Sequence, residues 1–290
     1  MKKILAILLV AVLLFAACDK IEPGENGEYT IFAGATATWM DGTPIANPVH
    51  RALVEKYTGP KCVNCPTADQ KLNEAHERIG DQMVIIAITP GGGDGLPYTG
   101  QPDVSTEDGD QWAIAYGGSV NMSLPYVIVD RVNTETHTFS GGNTVSGVEG
   151  LVNSIIAQEP VVAVEVSATS AADGKVKIDV DLNYLQACDS SLTLTLALIE
   201  DSLVYYQAGT PSNGGTLQLE YRHNHMLRDV ITDVWGMDIQ AEGRAGEARK
   251  ARFEYALPDV VVKENSHIVA FVSNKVTRRV LNCAECKIDE

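Results

Sequence analysis

This chain is poor in positive charge, in cysteine and in long apolar runs. Its 22 lysines and arginines face 38 aspartates and glutamates, giving a net charge of −16 at pH 7 over 290 residues. A surface that acidic repels phosphate backbones, which excludes nucleic acid as a partner. It repels anionic lipid headgroups too, so attachment to a membrane must be covalent or apolar. Six cysteines are too few for a disulfide-built scaffold, yet enough for one or two specific tasks. Beyond the N-terminus the longest apolar runs, such as Met83 to Ile88, have strand length, not the ~20 residues of a membrane-crossing helix. No Ser/His/Asp order, P-loop or dinucleotide fingerprint occurs, and no cofactor is expected.

What the chain does have is enough apolar material for a packed core: 45% apolar against 21% charged residues. Its length predicts two domains. Met1-Lys2-Lys3 is a short basic start, and Ile4 to Phe15 is an unbroken apolar run with the length of a signal-peptide core. Phe15-Ala16-Ala17-Cys18 resembles the bacterial lipobox, in which the cysteine becomes the lipid-bearing first residue of the mature chain. Leucine is commoner three positions before that cysteine; here Phe15 stands there, with Leu14 one further back. The bland alternative is a buried N-terminal helix with an incidental cysteine. Asp19 to Gly27 is polar and lacks helical periodicity, as a tether would. The expected layout is a signal peptide over 1–18 with lipidation at Cys18, then a tether over 19–28. Removing Lys2 and Lys3 leaves 20 bases against 38 acids, or −18. Acyl chains contribute ~0.8 kcal/mol per buried CH₂, so a lipidated cysteine anchors stably. The expected location is the cell envelope, with the membrane itself as the first partner, in a compartment where disulfides persist.

Residues 29–159 alternate strand and helix patterns. Ala52 to Tyr57, Met83 to Ile88 and Tyr126 to Asp130 read as strands, and Thr136 to Phe139 as a further one. Pro66 to Ile79 and Thr144 to Gln158 carry apolar residues at offsets of three and four, the second through Val148, Leu151, Val152 and Ile155. Pro90 to Asp110 reads as a long loop and Gln111 to Tyr116 as a short helix. After Glu159-Pro160 the pattern turns to short alternating strands, which predicts an antiparallel β-sandwich over 160–290. The fold class is therefore α/β followed by all-β.

One motif carries chemistry. Cys62-Val63-Asn64-Cys65-Pro66 follows a strand and opens a helix. Unpaired N–H groups of a first helical turn stabilise a thiolate, so Cys62 there becomes a nucleophile, and Lys61 adds positive charge. Cys65, one turn along, can close a disulfide with Cys62. These residues resemble the thioredoxin fold. Ser123-Leu124-Pro125-Tyr126 is similar to its cis-proline segment, which implies that Pro125 shapes a substrate groove beside the two cysteines. Thioredoxins often carry Trp where Lys61 stands. Their buried acid has no clear counterpart, Glu55 lying seven residues before Cys62.

The resemblance extends further. Leu53 to Gly59, the CxxC, His223-Asn224-His225-Met226-Leu227-Arg228 and Trp235-Gly236 are similar to stretches of the 28-kDa outer-membrane lipoprotein family of Bacteroidota. That resemblance implies a lipoprotein leader, a thioredoxin-like domain and a C-terminal β-rich domain, anchored in the outer membrane.

Other candidates carry less. Cys283 and Cys286 form a second CxxC on the last strand, where offset three points side chains to opposite faces. With Cys188 they make a trio open to a second disulfide, to free buried thiols or to zinc. His223 and His225 on one strand face could pair on a metal, or be polar residues at a domain contact. Asp103, Asp108 and Asp110 with Gly92 to Gly95 lack the oxygen-ligand spacing of an EF-hand, and no metal is expected. Two functions remain: thiol–disulfide exchange on envelope proteins, with Cys62 attacking and Cys65 resolving, or binding of envelope or extracellular proteins by a non-enzymatic surface lipoprotein in which Cys62–Cys65 is a staple.

Overall fold

The computed structural model describes residues 20–23, 29–32, 37–132, 145–171, 174–188, 190–210, 212 and 214–289. The leader, the lipidation site Cys18 and the strand expected at Thr136–Phe139 lie outside these residues. In chain order the strands are β1 (Lys20–Pro23), β2 (Tyr29–Phe32), β3 (Thr38–Asp41), β4 (Ala52–Tyr57), β5 (Met83–Ile88), β6 (Tyr126–Val129), β7 (Val162–Ser170), β8 (Lys175–Tyr184), β9 (Leu192–Glu200), β10 (Leu203–Gln207), β11 (Gln218–His223), β12 (Met226–Val230), β13 (Met237–Asp238), β14 (Ala248–Ala256), β15 (Ser266–Asn274) and β16 (Val280–Asp289). The α-helices are α1 (Cys65–Ile79), α2 (Glu107–Gly117) and α3 (Val145–Ile156).

Twelve strands form one sheet in the order β3-β14-β8-β7-β16-β15-β9-β12-β5-β4-β6, with β13 beside β9. Two separate antiparallel pairs, β1–β2 and β10–β11, complete the strands among the described residues. The fold is thus mixed α/β, dominated by a large sheet with few helices.

β4 runs parallel to β5 and antiparallel to β6, and all six of its residues are buried. Side chains alternate between the faces of a strand. Ala52 and Val54 therefore pack with Ala68, Leu72 and Ala75 of α1 and Val148, Val152 and Ile155 of α3. Leu53 and Tyr57 point the other way, toward Trp112 and Ala113 of α2.

Pro66 in its first turn and Gly80 at its end fix the limits of α1. Gly80 takes φ 72°, a left-handed conformation that glycine adopts without steric cost. His76 and Arg78 lie in the last turn, where positive charge complements the helix dipole. α2 begins at Glu107, earlier than the expected Gln111, and so takes the end of the expected long loop. Thr106 caps it by accepting the Gly109 N–H at 3.0 Å, and Glu107, Asp108 and Asp110 place negative charge in the first turn.

The sheet continues across the expected boundary at Glu159–Pro160. β12 lies parallel to β5, and the Ala87 N–H donates to the His225 carbonyl at 2.7 Å. The core around Leu53, Ile86 and Trp112 also contains Ile199, Leu227, Phe271 and Cys283. A second core joins Ile178, Val180 and Phe253 of β8 and β14 to Leu196, Ile268 and Ala284 of β9, β15 and β16.

Candidate disulfide site

The chain leaves β4 at Tyr57 and turns through Thr58 to Lys61 before reaching Cys62. Thr58 N–H donates to Ile88 O at 2.9 Å, and Cys62 N–H to Gly59 O at 3.1 Å. A Cβ on Gly59 would collide with the Asp94 carbonyl, so only glycine allows this close approach. Cys62 and Cys65 form a disulfide with their Cα atoms 5.4 Å apart, and α1 begins at Cys65. Register pairs Tyr57 with Tyr126, which places buried Pro125 at the same end of the sheet. The Leu124–Pro125 peptide bond is cis.

The disulfide is covered. Cys62 is 1% exposed and Cys65 0%. The cover is the β10–β11 hairpin. Buried Gln207 at the end of β10 donates its amide to Cys62 O at 2.9 Å and to Gly59 O at 3.3 Å. Ala208 N–H adds a bond to Pro60 O at 2.7 Å.

Lys61 and Glu55 have partners of their own. The Lys61 ammonium lies 5.7 Å from the centre of the Tyr98 ring, a cation–π arrangement. Glu55 faces the α2 side of β4, and Arg131 grips it with two hydrogen bonds of 2.9 and 2.8 Å. Arg131 is itself packed against Trp112, Tyr116 and Phe271. Burial opposes the charge of Arg131, but the Glu55 carboxylate wins and raises its pKa above the ordinary value. Glu55, the acid seven residues before Cys62, is thus held by Arg131 on the α2 face of β4. Lys56, on the α1 face, forms an ion pair with Asp69 at 2.5 Å, and the Tyr221 hydroxyl donates to the same carboxylate at 2.9 Å.

His223 and His225 do not form a strand-face pair. His223 ends β11, stacked 3.6 Å from the Tyr205 ring, whereas His225 sits in the following turn at φ 60°. Burial lowers the pKa of His223 to about 3 and also lowers that of His225. The acidic loop residues serve as local acceptors: Asp110 takes the Gly91 N–H at 2.6 Å, and Asp103 takes the Ser105 N–H at 3.0 Å. Among the described residues no group of three or more His, Cys, Asp or Glu is placed to hold a metal.

Of the states left open for the trio, the described residues show free thiols: Cys188, Cys283 and Cys286 form no disulfide. Cys283 is buried in the core beneath α2, while Cys286 packs on the core formed with β8 and β14. Offset three on β16 separates them, as strand geometry requires. Cys188 lies in the loop after β8, held by its N–H to Gly243 O at 2.9 Å. Burial pushes the Cys286 thiol up to about 12 and the Cys283 thiol well above its ordinary value.

Asn282 escaped the sequence reasoning entirely. It is 0% exposed, accepts the Arg51 N–H, and donates to Val49 O at 3.0 Å and Val162 O at 2.9 Å. It thereby ties the segment before β4 to β7 and β16.

Fold and site together define a mixed α/β protein with a large shared sheet and a hairpin-covered disulfide. The family model described as outer membrane protein Omp28 matches residues 116–290, and the chain belongs to that family. It is accordingly a protein of the outer-membrane-associated cell envelope. No curated protein matches it. Among solved structures it is similar to HBP35 of Porphyromonas gingivalis, at 15% identity and a TM-score of 0.58, over 85% of this chain and 77% of that one. A structural-genomics target from Agrobacterium tumefaciens is similar at 15% identity and a TM-score of 0.51, over 84% and 97%. A domain of the outer membrane lipoprotein Omp28 from Porphyromonas gingivalis matches 46% of this chain and 91% of that one, at 20% identity and a TM-score of 0.32.

Proposed function

We propose that this protein is a non-enzymatic binding lipoprotein of the cell envelope, held to the membrane by lipid on Cys18, in which Cys62–Cys65 is a structural staple. In this reading residues 29–159 are a thioredoxin-like unit, 160–290 a β-sandwich, and the two are docked through a common core. The carrying observation is the burial of Cys62 at 1% exposure, under a hairpin whose buried Gln207 bonds the Cys62 carbonyl. An attacking thiolate has to meet an incoming disulfide, and nucleophilic cysteines lie in partly exposed, electropositive surroundings. Here Cys62 is covered and Glu55 is bound to Arg131.

The second reading is thiol–disulfide exchange on envelope proteins, with Cys62 attacking, Cys65 resolving and Pro125 shaping the groove. The position of the CxxC ahead of α1 and beside Pro125 favours it. The deciding experiment is a redox titration of Cys62–Cys65 together with an insulin-reduction assay on the full chain. The staple reading expects a potential below about −300 mV and no turnover. A potential near that of thioredoxin, with turnover, overturns it.

A further inference from the structure

A cleft of about 440 Å³ opens between α1 and the β10–β11 hairpin, beside the covered disulfide. Thr67, Asp69, Gln70 and Asn73 line it from the first three turns of α1, and Gln218 and Tyr221 line it from β11. The helix period explains the first set, since offsets of three and four share a face.

The walls are braced. The Tyr221 hydroxyl donates to Asp69 Oδ2, while Lys56 neutralises Asp69 from beneath through Oδ1. The disulfide fixes the entry to α1, and Gln207 fastens the end of β10 to the Cys62 carbonyl. A cleft held in this way loses little ordering entropy when a ligand enters.

Its chemistry is specific. Among the described residues the one charged lining side chain, Asp69, is already paired, so the cleft favours neither an anion nor a strong cation. Apart from Pro66, the other described lining residues carry hydroxyls and amides, which both donate and accept. Gln70 gives its amide N–H to Glu74 at 3.0 Å, leaving its oxygen as an acceptor. The Asp69 oxygens retain lone pairs beyond those taken by Lys56 and Tyr221. Tyr221 supplies an apolar ring body beside its polar tip. Hydroxyls and amides beside Pro66 and Tyr221 match a ligand with many hydroxyls and small apolar faces.

We infer that the cleft between α1 and the β10–β11 hairpin binds a neutral saccharide. The inference rests on the binding reading above and names its ligand class. The test is a calorimetric titration of the full chain, held in a detergent without a sugar headgroup. The probes are neutral gluco-, manno- and xylo-hexaoses, with an oligogalacturonate as the anionic control. The expected result is saturable binding of at least one neutral hexaose, weak binding of the anion, and a loss of affinity of about tenfold or more in a Gln70→Ala/Asn73→Ala double variant. Both positions are exposed on α1, so the variant keeps the core intact. Absence of binding by all three neutral probes overturns the inference, as does unchanged affinity in the double variant or equal binding of the anion. Insulin turnover by the same preparation would instead sink the staple reading, so the two failures are distinguishable.

Discussion

Asp130 shows how a single buried side chain sets a pH dependence. It follows β6 at φ 48°, is 2% exposed, and accepts the Leu53 N–H at 2.8 Å. Burial pushes its carboxyl up from 3.8 to about 7, against the opposing effect of the Leu53 hydrogen bond. A carboxyl with a raised folded-state pKa takes up its proton more readily folded than unfolded. Its contribution to stability is full below about pH 3.8 and is lost as pH rises through about 7. Asp130→Asn keeps an acceptor for Leu53 and removes the titration. Between pH 4 and pH 8 the wild type should therefore lose about 2–4 kcal/mol relative to the variant. Urea denaturation of both proteins at several pH values measures this, and parallel curves would refute it. Nothing in the sequence marks Asp130, since the pattern only extends β6 by one residue. Its burial and its bond to β4 are tertiary facts. Cys62 and Cys65 were legible because a CxxC before a helix is a local signal. The role of Glu55 has no local signal, because its partner, Arg131, lies 76 residues away.

At the scale of elements, legibility followed polarity. β4, β5 and β9 are buried along their whole length and mainly apolar, and α1 and α3 show helical periodicity. β12 was invisible because it contains Arg228 and Asp229, which look like loop residues. Within the fold Arg228 pairs with Glu200 at 3.1 Å and Asp229 accepts the Tyr255 hydroxyl at 2.7 Å. The β10–β11 hairpin was only half seen, and it supplies both the cover of the disulfide and one wall of the cleft. Its acid response follows from His223. Tyr205 and Tyr221 of the hairpin, Lys56 of β4 and Asp69 of α1 surround that imidazole. Burial holds its pKa down at about 3, so folding favours the neutral ring. The stability it contributes is present above about pH 6.5 and is lost as pH falls toward 3. His223→Phe preserves the stack on Tyr205 and abolishes the titration. Amide hydrogen exchange at residues 203–207 and 218–223 should accelerate on moving the wild type from pH 7 to pH 4, after correction for intrinsic rates. The variant should change far less, by a margin worth about 2–4 kcal/mol of opening free energy. Equal acceleration in both would remove His223 from the account.

The whole molecule depends on how its halves meet. The change in pattern at Glu159–Pro160 reads as a boundary between independent domains, because a sequence displays composition but not which strand lies beside which. In the folded chain β12 pairs with β5, Asn282 bonds Val49, Arg51 and Val162, and Trp112 Nε1 donates to Val234 O at 2.9 Å. Leu53, Tyr57, Ile86, Ile88, Trp112 and Ile128 are all fully buried in a core that residues beyond 190 help to close. Fully exposing such a side chain costs roughly 1.5–3 kcal/mol. Uncovering a third of that surface on six of them costs about 3–6 kcal/mol, against about 5–15 for the stability of a typical domain. A fragment of residues 29–159 is large enough to hold a core of its own, yet it would lose β12 from the edge of β5 and one side of this core. Produced alone it should be molten or insoluble, with native-like far-UV dichroism, weak near-UV dichroism and strong ANS binding. Co-expression with residues 160–290 should restore a cooperative transition, because the missing cover is then supplied in trans. A fragment that melts cooperatively by itself would show that the shared core is dispensable, and that the two units carry their stability separately.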